Sequence, residues 1–206
     1  MMERIVEKIV NELISNGFLT ANKQEEYIYS FTCFIETAIS SVVFLLMGLF
    51  LHQFIPTLLF MLFFSNIKKR CGGLHANTYV GCLSSSCAIY LFFMTFISPF
   101  LLENKKYCLF LLLVGGAVLW VIGSVDHPGM GWSQREQEEN KKLARRNVLL
   151  EVIIIFVIWT VTEQSALVVF TTFAVFLNAV LLLIAKIKEE KYEERCTEEE
   201  GSIDCG

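Results

Sequence analysis

The chain has 206 residues, of which 54% are hydrophobic, and a formal net charge of −4 at pH 7. Charged residues collect in short islands, and the stretches between them are apolar and rich in phenylalanine, which occurs 18 times. This distribution excludes an ordinary soluble core and indicates membrane-spanning helices. An acidic tail produces much of the negative charge, and we expect the lipid bilayer, and no nucleic acid, among the partners.

Residues 1–18 form the first predicted element, an amphipathic helix. Its apolar residues recur at the spacing of one helix face: Ile5, Val6, Ile9, Val10, Leu13 and Ile14. Such a helix either lies in the membrane interface or packs as a short helix on its own protein, and the sequence leaves both interpretations open. We assign residues 1–27 to this N-terminal region.

Six apolar segments follow, and they predict an all-α, polytopic membrane protein. They cover 31–51, a stretch that ends at 67 after a turn at His52, Gln53 and Pro56, and then 79–102, 107–125, 148–161 and 166–187. The second and fifth segments hold only about fourteen apolar residues each, fewer than the ~20 that a span usually needs. We expect one membrane domain over residues 1–188 and a charged, disordered tail over 189–206.

The placement of lysine and arginine predicts the orientation. With both termini in the cytosol, fifteen basic residues fall on the inside, and only Lys105 and Lys106 fall on the outside. The opposite orientation would put fifteen basic residues outside and two inside, against the preference of basic residues for the cytosolic side. We therefore predict cytosolic termini and a cytosolic location for His75, Cys82 and the 126–147 loop.

The segment from Lys68 to Cys82 reads KKRCGGLHANTYVGC and separates the second and third apolar segments. A cysteine thiol beside an imidazole can become a thiolate nucleophile near neutral pH. On one straight helix His75 and Cys82 would lie about 10 Å apart along the axis, too far for a hydrogen bond. A working pair therefore needs irregular backbone, which Gly72 and Gly73 favour.

The residues alone leave alternatives open. Cys71 precedes His75 by four residues, which is the better spacing for a contact on a helix, although the glycine pair between them argues against a helix there. A histidine near a cysteine at a membrane boundary is also more often structural than catalytic. We expect no metal or cofactor, because the seven cysteines form no CxxC pair and the three histidines lie far apart.

Other polar residues are candidates for supporting roles. A catalytic imidazole is commonly oriented by a third group, and the candidates here are Glu36 inside the first span, Asp126 after the fourth, and Asn77. A basic group precedes the fifth span, and it either sets the topology or binds an acidic peptide segment. Its members are Lys141, Lys142, Arg145 and Arg146.

The run from Lys68 to Cys82, with Gly-Gly-x-His-Ala and a cysteine seven residues after the histidine, resembles the accessory gene regulator protein B (AgrB) family. The chain length, the six apolar segments, the basic loop and the turn at 126–128 also resemble that family. Its members are bacterial membrane cysteine endopeptidases that process quorum-sensing pro-peptides. The resemblance implies that His75 and Cys82 are the catalytic pair. The family also carries an arginine about seven residues before the histidine, where this chain has Lys68, with Arg70 nearby.

The resemblance further implies an AgrD-like pro-peptide as the substrate, a location in the bacterial cell membrane, and a homodimer. Cleavage would leave a thioester on Cys82, which an internal thiol or hydroxyl of the peptide converts to a thiolactone or lactone. Two other classes compete. A small transporter or channel would show paired broken helices and intramembrane charges, and a lipid- or isoprenoid-modifying enzyme would show carboxylate clusters for magnesium. The sequence gives little support to either class.

Overall fold

The computed structural model describes residues 2–71, 79–124, 134–162 and 165–203, and within these ranges the regular structure is entirely helical. Apart from a 3₁₀ turn at Ala21–Lys23 and a π-helical turn at Phe93–Ile97, eight α-helices follow one another along the chain. They are α1 (Met2–Ser15), α2 (Gln24–Phe50), α3 (Phe54–Cys71), α4 (Tyr79–Phe92), α5 (Ser98–Glu103), α6 (Lys105–Ile122), α7 (Gln134–Val161) and α8 (Ser165–Ile203).

The predicted all-α membrane class is confirmed, but the number of spans differs from six. Within the described ranges, four helical stretches are long and apolar enough to cross a bilayer: Ser30–Phe50, Tyr79–Glu103, Lys105–Ile122 and Ser165–Lys188. The two missing from this set are α3 and α7, which contain the two short predicted segments. Each is a helix of sufficient length, but the last turn of α3 carries three basic residues and the first half of α7 is charged. In both α3 and α7 the helix is long enough to cross a bilayer, but its apolar part is too short.

The third predicted span is one helical stretch with a change of pitch in its middle. The α-helical pattern of α4 gives way to the π-helical turn at Phe93–Ile97, where the backbone amide of Ser98 bonds to the carbonyl of Phe93. Pro99 follows in the first turn of α5. Because proline has no amide hydrogen and its ring crowds the carbonyl four residues earlier, it displaces the normal hydrogen-bond ladder. The helical stretch continues past Pro99, so the proline does not end the span.

Helix α8 occupies the centre of the bundle. Of its most apolar stretch 61% is buried inside the protein, compared with 28% or less for the other three spans. It packs mainly on α3 and α6. Asn178 of α8 donates from Nδ2 to the carbonyl of Phe64 in α3 at 3.2 Å, which ties the two helices together by a buried polar contact. Such a contact is favourable inside a bundle, because lipid offers no alternative partner for the amide.

Aromatic side chains fill the half of the core that lies around α4. Phe93 stacks on Phe173 of α8, with ring centroids 3.8 Å apart. Beside them the Tyr90 hydroxyl is 2.5 Å from Thr57 Oγ1, a hydrogen bond that joins α4 to the start of α3. Thr57 also donates to the carbonyl of Gln53 at 2.6 Å. The Thr57 side chain is thus fixed from two directions.

Helix α1 packs on α2, which agrees with the second interpretation of the amphipathic N-terminus. Val6 and Val10 are fully buried, and Gln24 donates from Nε2 to Asn11 Oδ1 at 2.7 Å. Ile9 remains 40% exposed and Phe18 77% exposed. A location of α1 in the membrane interface stays a prediction.

The charged C-terminal residues continue the last helix. Whereas the composition predicts disorder over 189–206, α8 runs without a break to Ile203. Glutamate, lysine and arginine are good helix formers, and pairs four residues apart, such as Lys186 Nζ and Glu190 Oε1 at 3.8 Å, add to helix stability. The division of the chain at residue 188 stays a prediction.

The close approach of α2 and α3 yields a test of the fold. A Cβ atom at Gly48 would lie 2.5 Å from Oγ1 and 2.7 Å from Cβ of the fixed Thr57 side chain. We expect Gly48→Ala to lower the free energy of unfolding by about 1–3 kcal/mol through overpacking. Thermal unfolding in detergent measures the effect. Gly116→Ala is the matched control, because its new methyl would meet only Cγ2 of Val152, at 3.1 Å. Equal midpoints for the two variants would contradict the contact.

Candidate active site

Cys82 is the fourth residue of α4 and is partly exposed. Its carbonyl accepts a hydrogen bond from Ser85 Oγ at 3.0 Å, and Ser84 Oγ donates to the carbonyl of Val80 at 2.6 Å. These hydroxyl groups are exposed and bond back to the backbone of their own helix. The Cys82 side chain remains accessible at the first turns of the helix.

Three predicted site residues, His75, Asn77 and Asp126, lie outside the described residues. The pairing of His75 with Cys82 therefore stays a prediction. Glu36 is described: it lies in α2, partly buried, and its carbonyl accepts from Ser40 Oγ at 2.8 Å. A role for the Glu36 carboxylate in orienting the histidine likewise stays a prediction.

Cys71, the alternative nucleophile, is the last residue of α3 and is only 2% exposed. Burial, and to a smaller extent the nearby Glu151 carboxylate, raise the pKa of this thiol to about 12. A thiol in such surroundings stays protonated near neutral pH, and the thiolate is the nucleophilic form. The surroundings of Cys71 thus disfavour it as a nucleophile.

The basic end of α3 is exposed on the outside of the same turn. Lys68 places Nζ 5.6 Å from the centroid of the Phe64 ring, a cation–π geometry that holds the charge against its own helix. Arg70 is exposed. Ile67 and Cys71 share a buried cluster with Ala144 and Val148 of α7. The basic end of α3 and the basic half of α7 therefore lie at the same end of the bundle.

Four of the five basic residues of α7 fall on two different faces, Lys141 and Arg145 on one and Lys142 and Arg146 on the other. Arg145 donates from Nε to the carbonyl of Trp120, 3.0 Å away in the last turn of α6, where a helix has unpaired carbonyls. The side chain of Lys141, one turn earlier on the same face, packs near Gly123, with its Cγ 3.4 Å from the position of a Cβ there. Lys142 and Arg146, on the neighbouring face, are exposed. Two of the four residues thus join α7 to α6, and two face outward.

A polar pair in which only Glu151 is buried connects α3 to α7, and sequence reasoning missed it. Asn66 donates from Nδ2 to Glu151 Oε1 at 2.8 Å, and Glu151 is only 3% exposed. Within the described ranges, Glu151 Oε2 has no hydrogen-bond partner. The sequence did contain a signal for Glu151. It is the single ionisable residue of the fifth apolar segment, and ionisable residues inside membrane segments are commonly functional.

The comparisons with known proteins give one match. The family model described as Accessory gene regulator B matches residues 3–185. The chain belongs to this family. Searches of curated proteins and of solved structures give no match. Members of the family are membrane-bound and process AgrD-like pro-peptides in quorum sensing, which agrees with the apolar helices of this chain. The matched range includes the 68–82 motif and the whole described bundle except the end of α8.

The contrast between the two cysteines is testable by alkylation. At pH 8, iodoacetamide should modify Cys82 in the folded protein and leave Cys71 unmodified, because a pKa of about 12 leaves Cys71 almost entirely protonated and burial blocks access. Peptide mapping by mass spectrometry measures both sites. The same protein unfolded in SDS is the control, in which both cysteines should react. Equal modification of the two sites before unfolding would contradict this description of Cys71.

The two faces of α7 predict different outcomes for adjacent arginines. Arg145→Ala removes the contact with the Trp120 carbonyl and should lower the free energy of unfolding by about 1 kcal/mol. Arg146→Ala, a matched change on the exposed face, should alter it by less than about 0.5 kcal/mol. Thermal unfolding of the two variants in the same detergent compares them. A larger loss for Arg146→Ala would show that the faces are assigned the wrong way round.

Proposed function

We propose that this chain is a membrane cysteine endopeptidase that cleaves an AgrD-like pro-peptide and promotes ring closure of the product. The observation that carries the proposal is the contrast between the two cysteines that bracket the His75 segment. Cys71 is buried beside a carboxylate, whereas Cys82 is partly exposed at the beginning of a helix. This contrast supports Cys82 as the nucleophile, in agreement with the family motif.

The proposed reaction begins with proton transfer. His75 accepts the proton from the Cys82 thiol, and the thiolate attacks the carbonyl carbon of the scissile peptide bond. The tetrahedral intermediate collapses, the carbon–nitrogen bond breaks, and the imidazolium returns its proton to the leaving amine. The C-terminal part of the peptide departs, and the N-terminal part remains as a thioester on Cys82.

Ring closure uses the energy that the thioester retains. A thiol or hydroxyl within the bound peptide attacks the thioester carbonyl, releases Cys82 as a thiol, and forms a thiolactone or lactone. Exchange of one thioester for another is close to thermoneutral, so hydrolysis competes whenever water reaches the acyl group. A site that excludes water favours the ring.

Exposed basic residues support binding of an acidic part of the substrate. Lys142 and Arg146 face outward from α7, and Lys68 and Arg70 lie at the same end of the bundle. Lys141 and Arg145, by contrast, pack against α6 and serve in our proposal mainly to position α7. Electrostatic binding of this kind weakens as salt screens the charges.

The location of the site follows from the distribution of charge. Both basic groups lie at one end of the bundle, and basic residues prefer the cytosolic side. We propose that this end, with Cys82 and both termini, faces the cytosol of a bacterial cell. Homodimer formation is part of the same proposal and rests on the family resemblance alone.

Labelling with an alkyne-tagged iodoacetamide probe at pH 7 tests whether His75 acts as the base for Cys82. We expect the native protein to be labelled at Cys82, and His75→Ala to lower the labelling rate by about tenfold or more, because the thiolate then lacks its base. Cys82→Ala should abolish cleavage of an AgrD-like precursor in membranes, whereas Cys71→Ala should retain it. Normal insertion of each variant is the control. Full processing by Cys82→Ala would disprove the proposal, and loss of processing in Cys71→Ala alone would redirect it to Cys71.

A further inference from the structure

The helical stretch that carries Cys82 is anchored along only part of its length. From Tyr90 onward, successive turns each place a buried residue in the bundle, namely Tyr90, Phe93, Ser98 and Leu101. By contrast, each of residues 79–89, all of which the structure describes, keeps part of its surface exposed. These residues form an arm about 16 Å long at the rise of an α-helix. Cys82 lies on this arm, and Tyr90 is its nearest buried anchor.

The Tyr90 hydroxyl anchors the arm to α3. A threonine hydroxyl has one hydrogen, and that of Thr57 is donated to the Gln53 carbonyl at 2.6 Å. The 2.5 Å contact between Tyr90 and Thr57 therefore uses the tyrosine hydrogen, with Tyr90 Oη as the donor and Thr57 Oγ1 as the acceptor. Hydrogen bonds weaken steeply away from linearity, so this bond restrains the tilt of the arm as well as its distance from α3.

Helices α3 and α4 extend from this contact towards the same end of the bundle. Thr57 is fourteen residues from the end of α3 at Cys71, about 21 Å, and Tyr90 is eleven residues from the beginning of α4 at Tyr79, about 16 Å. If the helices left the contact in opposite directions, these two ends would lie about 37 Å apart. The chain between Cys71 and Tyr79 reaches at most about 29 Å, which excludes that arrangement.

The end of α3 is fixed in the bundle, whereas the arm of α4 has no buried residue to hold it. Ile67 and Cys71 of α3 lie in a buried cluster with residues of α6, α7 and α8. His75 follows this fixed end by four residues, and Cys82 lies on the arm. The angle between α3 and α4 therefore governs how far Cys82 lies from the end of α3, to which the segment with His75 is attached.

We propose that Tyr90 is a positioning residue, whose hydrogen bond to Thr57 sets the angle between α3 and α4 and so holds Cys82 at its working distance from the base. The inference rests on the proposed function for the role of Cys82 as the nucleophile. A change in tilt of about 5° at Tyr90 would displace Cys82, about 12 Å away along the helix, by about 1 Å. A misplacement of that size lowers a reaction rate by up to about 100-fold.

A positioning role differs from an ordinary packing role in what its loss changes. If the Tyr90 hydroxyl only stabilised the bundle, its removal would lower the fraction of folded protein, and the folded molecules would keep the native kcat. Loss of positioning instead lowers the kcat of the folded molecules. KM stays nearly unchanged, because surfaces that bind substrate away from Cys82 are untouched.

Two variants remove the hydrogen bond from opposite sides. Tyr90→Phe deletes the donor and keeps the ring, which lies edge-on to Phe44 with centroids 5.3 Å apart. Thr57→Val deletes the acceptor and keeps the branched shape, whereas Thr57→Ser keeps the acceptor. The matched controls are Tyr107→Phe and Thr95→Val, because Tyr107 is 52% exposed and the exposed Thr95 donates to its own helical stretch.

Cleavage of an AgrD-like precursor is measured for the folded fraction of each variant. We expect kcat to fall about tenfold in Tyr90→Phe and in Thr57→Val, with KM within about twofold of the native value. The double variant should lose no more than the single ones, because both changes remove the same bond. Thr57→Ser and both controls should keep the native kcat. If Tyr90→Phe fails to fold, the comparison of Thr57→Val with Thr57→Ser tests the same bond. An unchanged kcat, or losses that multiply in the double variant, would overturn the proposal.

A distance measurement tests the geometry independently of cleavage. The amino acid p-acetylphenylalanine replaces Lys69, in the last turn of α3, and Val80, which is 73% exposed on the arm, and each copy carries a ketone-reactive spin label. Double electron–electron resonance gives the distribution of distances between the labels. We expect its mean or its width to increase by about 1 Å or more in Tyr90→Phe, and to stay native in Tyr107→Phe.

The two measurements separate this proposal from the proposed function. A native distance distribution in Tyr90→Phe would overturn the positioning role even if cleavage slowed. Native cleavage together with a native distribution in that variant would reject the positioning role and keep the peptidase. A changed distribution, in a chain whose native form cleaves no precursor, would reject the peptidase and keep Tyr90 as the residue that holds the arm with Cys82.

Discussion

The hydrogen bond from Asn66 Nδ2 to Glu151 Oε1 joins α3 to α7. Both helices carry polar groups that hydrocarbon does not tolerate, and this bond pairs one oxygen of the Glu151 carboxylate across the interface. The basic residues of each helix lie near the same end of the bundle, and their apolar faces share a buried cluster. The interface between the two helices therefore combines a buried apolar cluster with one part-buried polar contact.

Two consequences for chemistry follow from this arrangement. The Glu151 carboxylate lies near the end of α3, where it helps to keep the Cys71 thiol protonated. It leaves Cys82, on a separate helix, as the accessible thiol of the two. One buried group therefore bears on the choice of nucleophile.

The basic residues of α7 show how one sequence cluster can serve two purposes. A helix places residues four apart on one face, so Lys141 and Arg145 meet the end of α6 together. Lys142 and Arg146 lie on the neighbouring face and stay exposed. Lys141 and Arg145 thus have a structural role, whereas binding of the substrate by Lys142 and Arg146 belongs to our proposal.

The sequence by itself determined the all-α membrane class, the approximate positions of the apolar helical segments, and the family, because apolar segment length and a local motif depend on neighbours along the chain. Long-range packing decided the rest. Asn66 and Glu151 are 85 residues apart, and no local pattern pairs them. The burial of Cys71 and the faces of α7 likewise depend on which helices meet. The span count differs from six for a local reason, because α3 and α7 carry charged residues along part of their length.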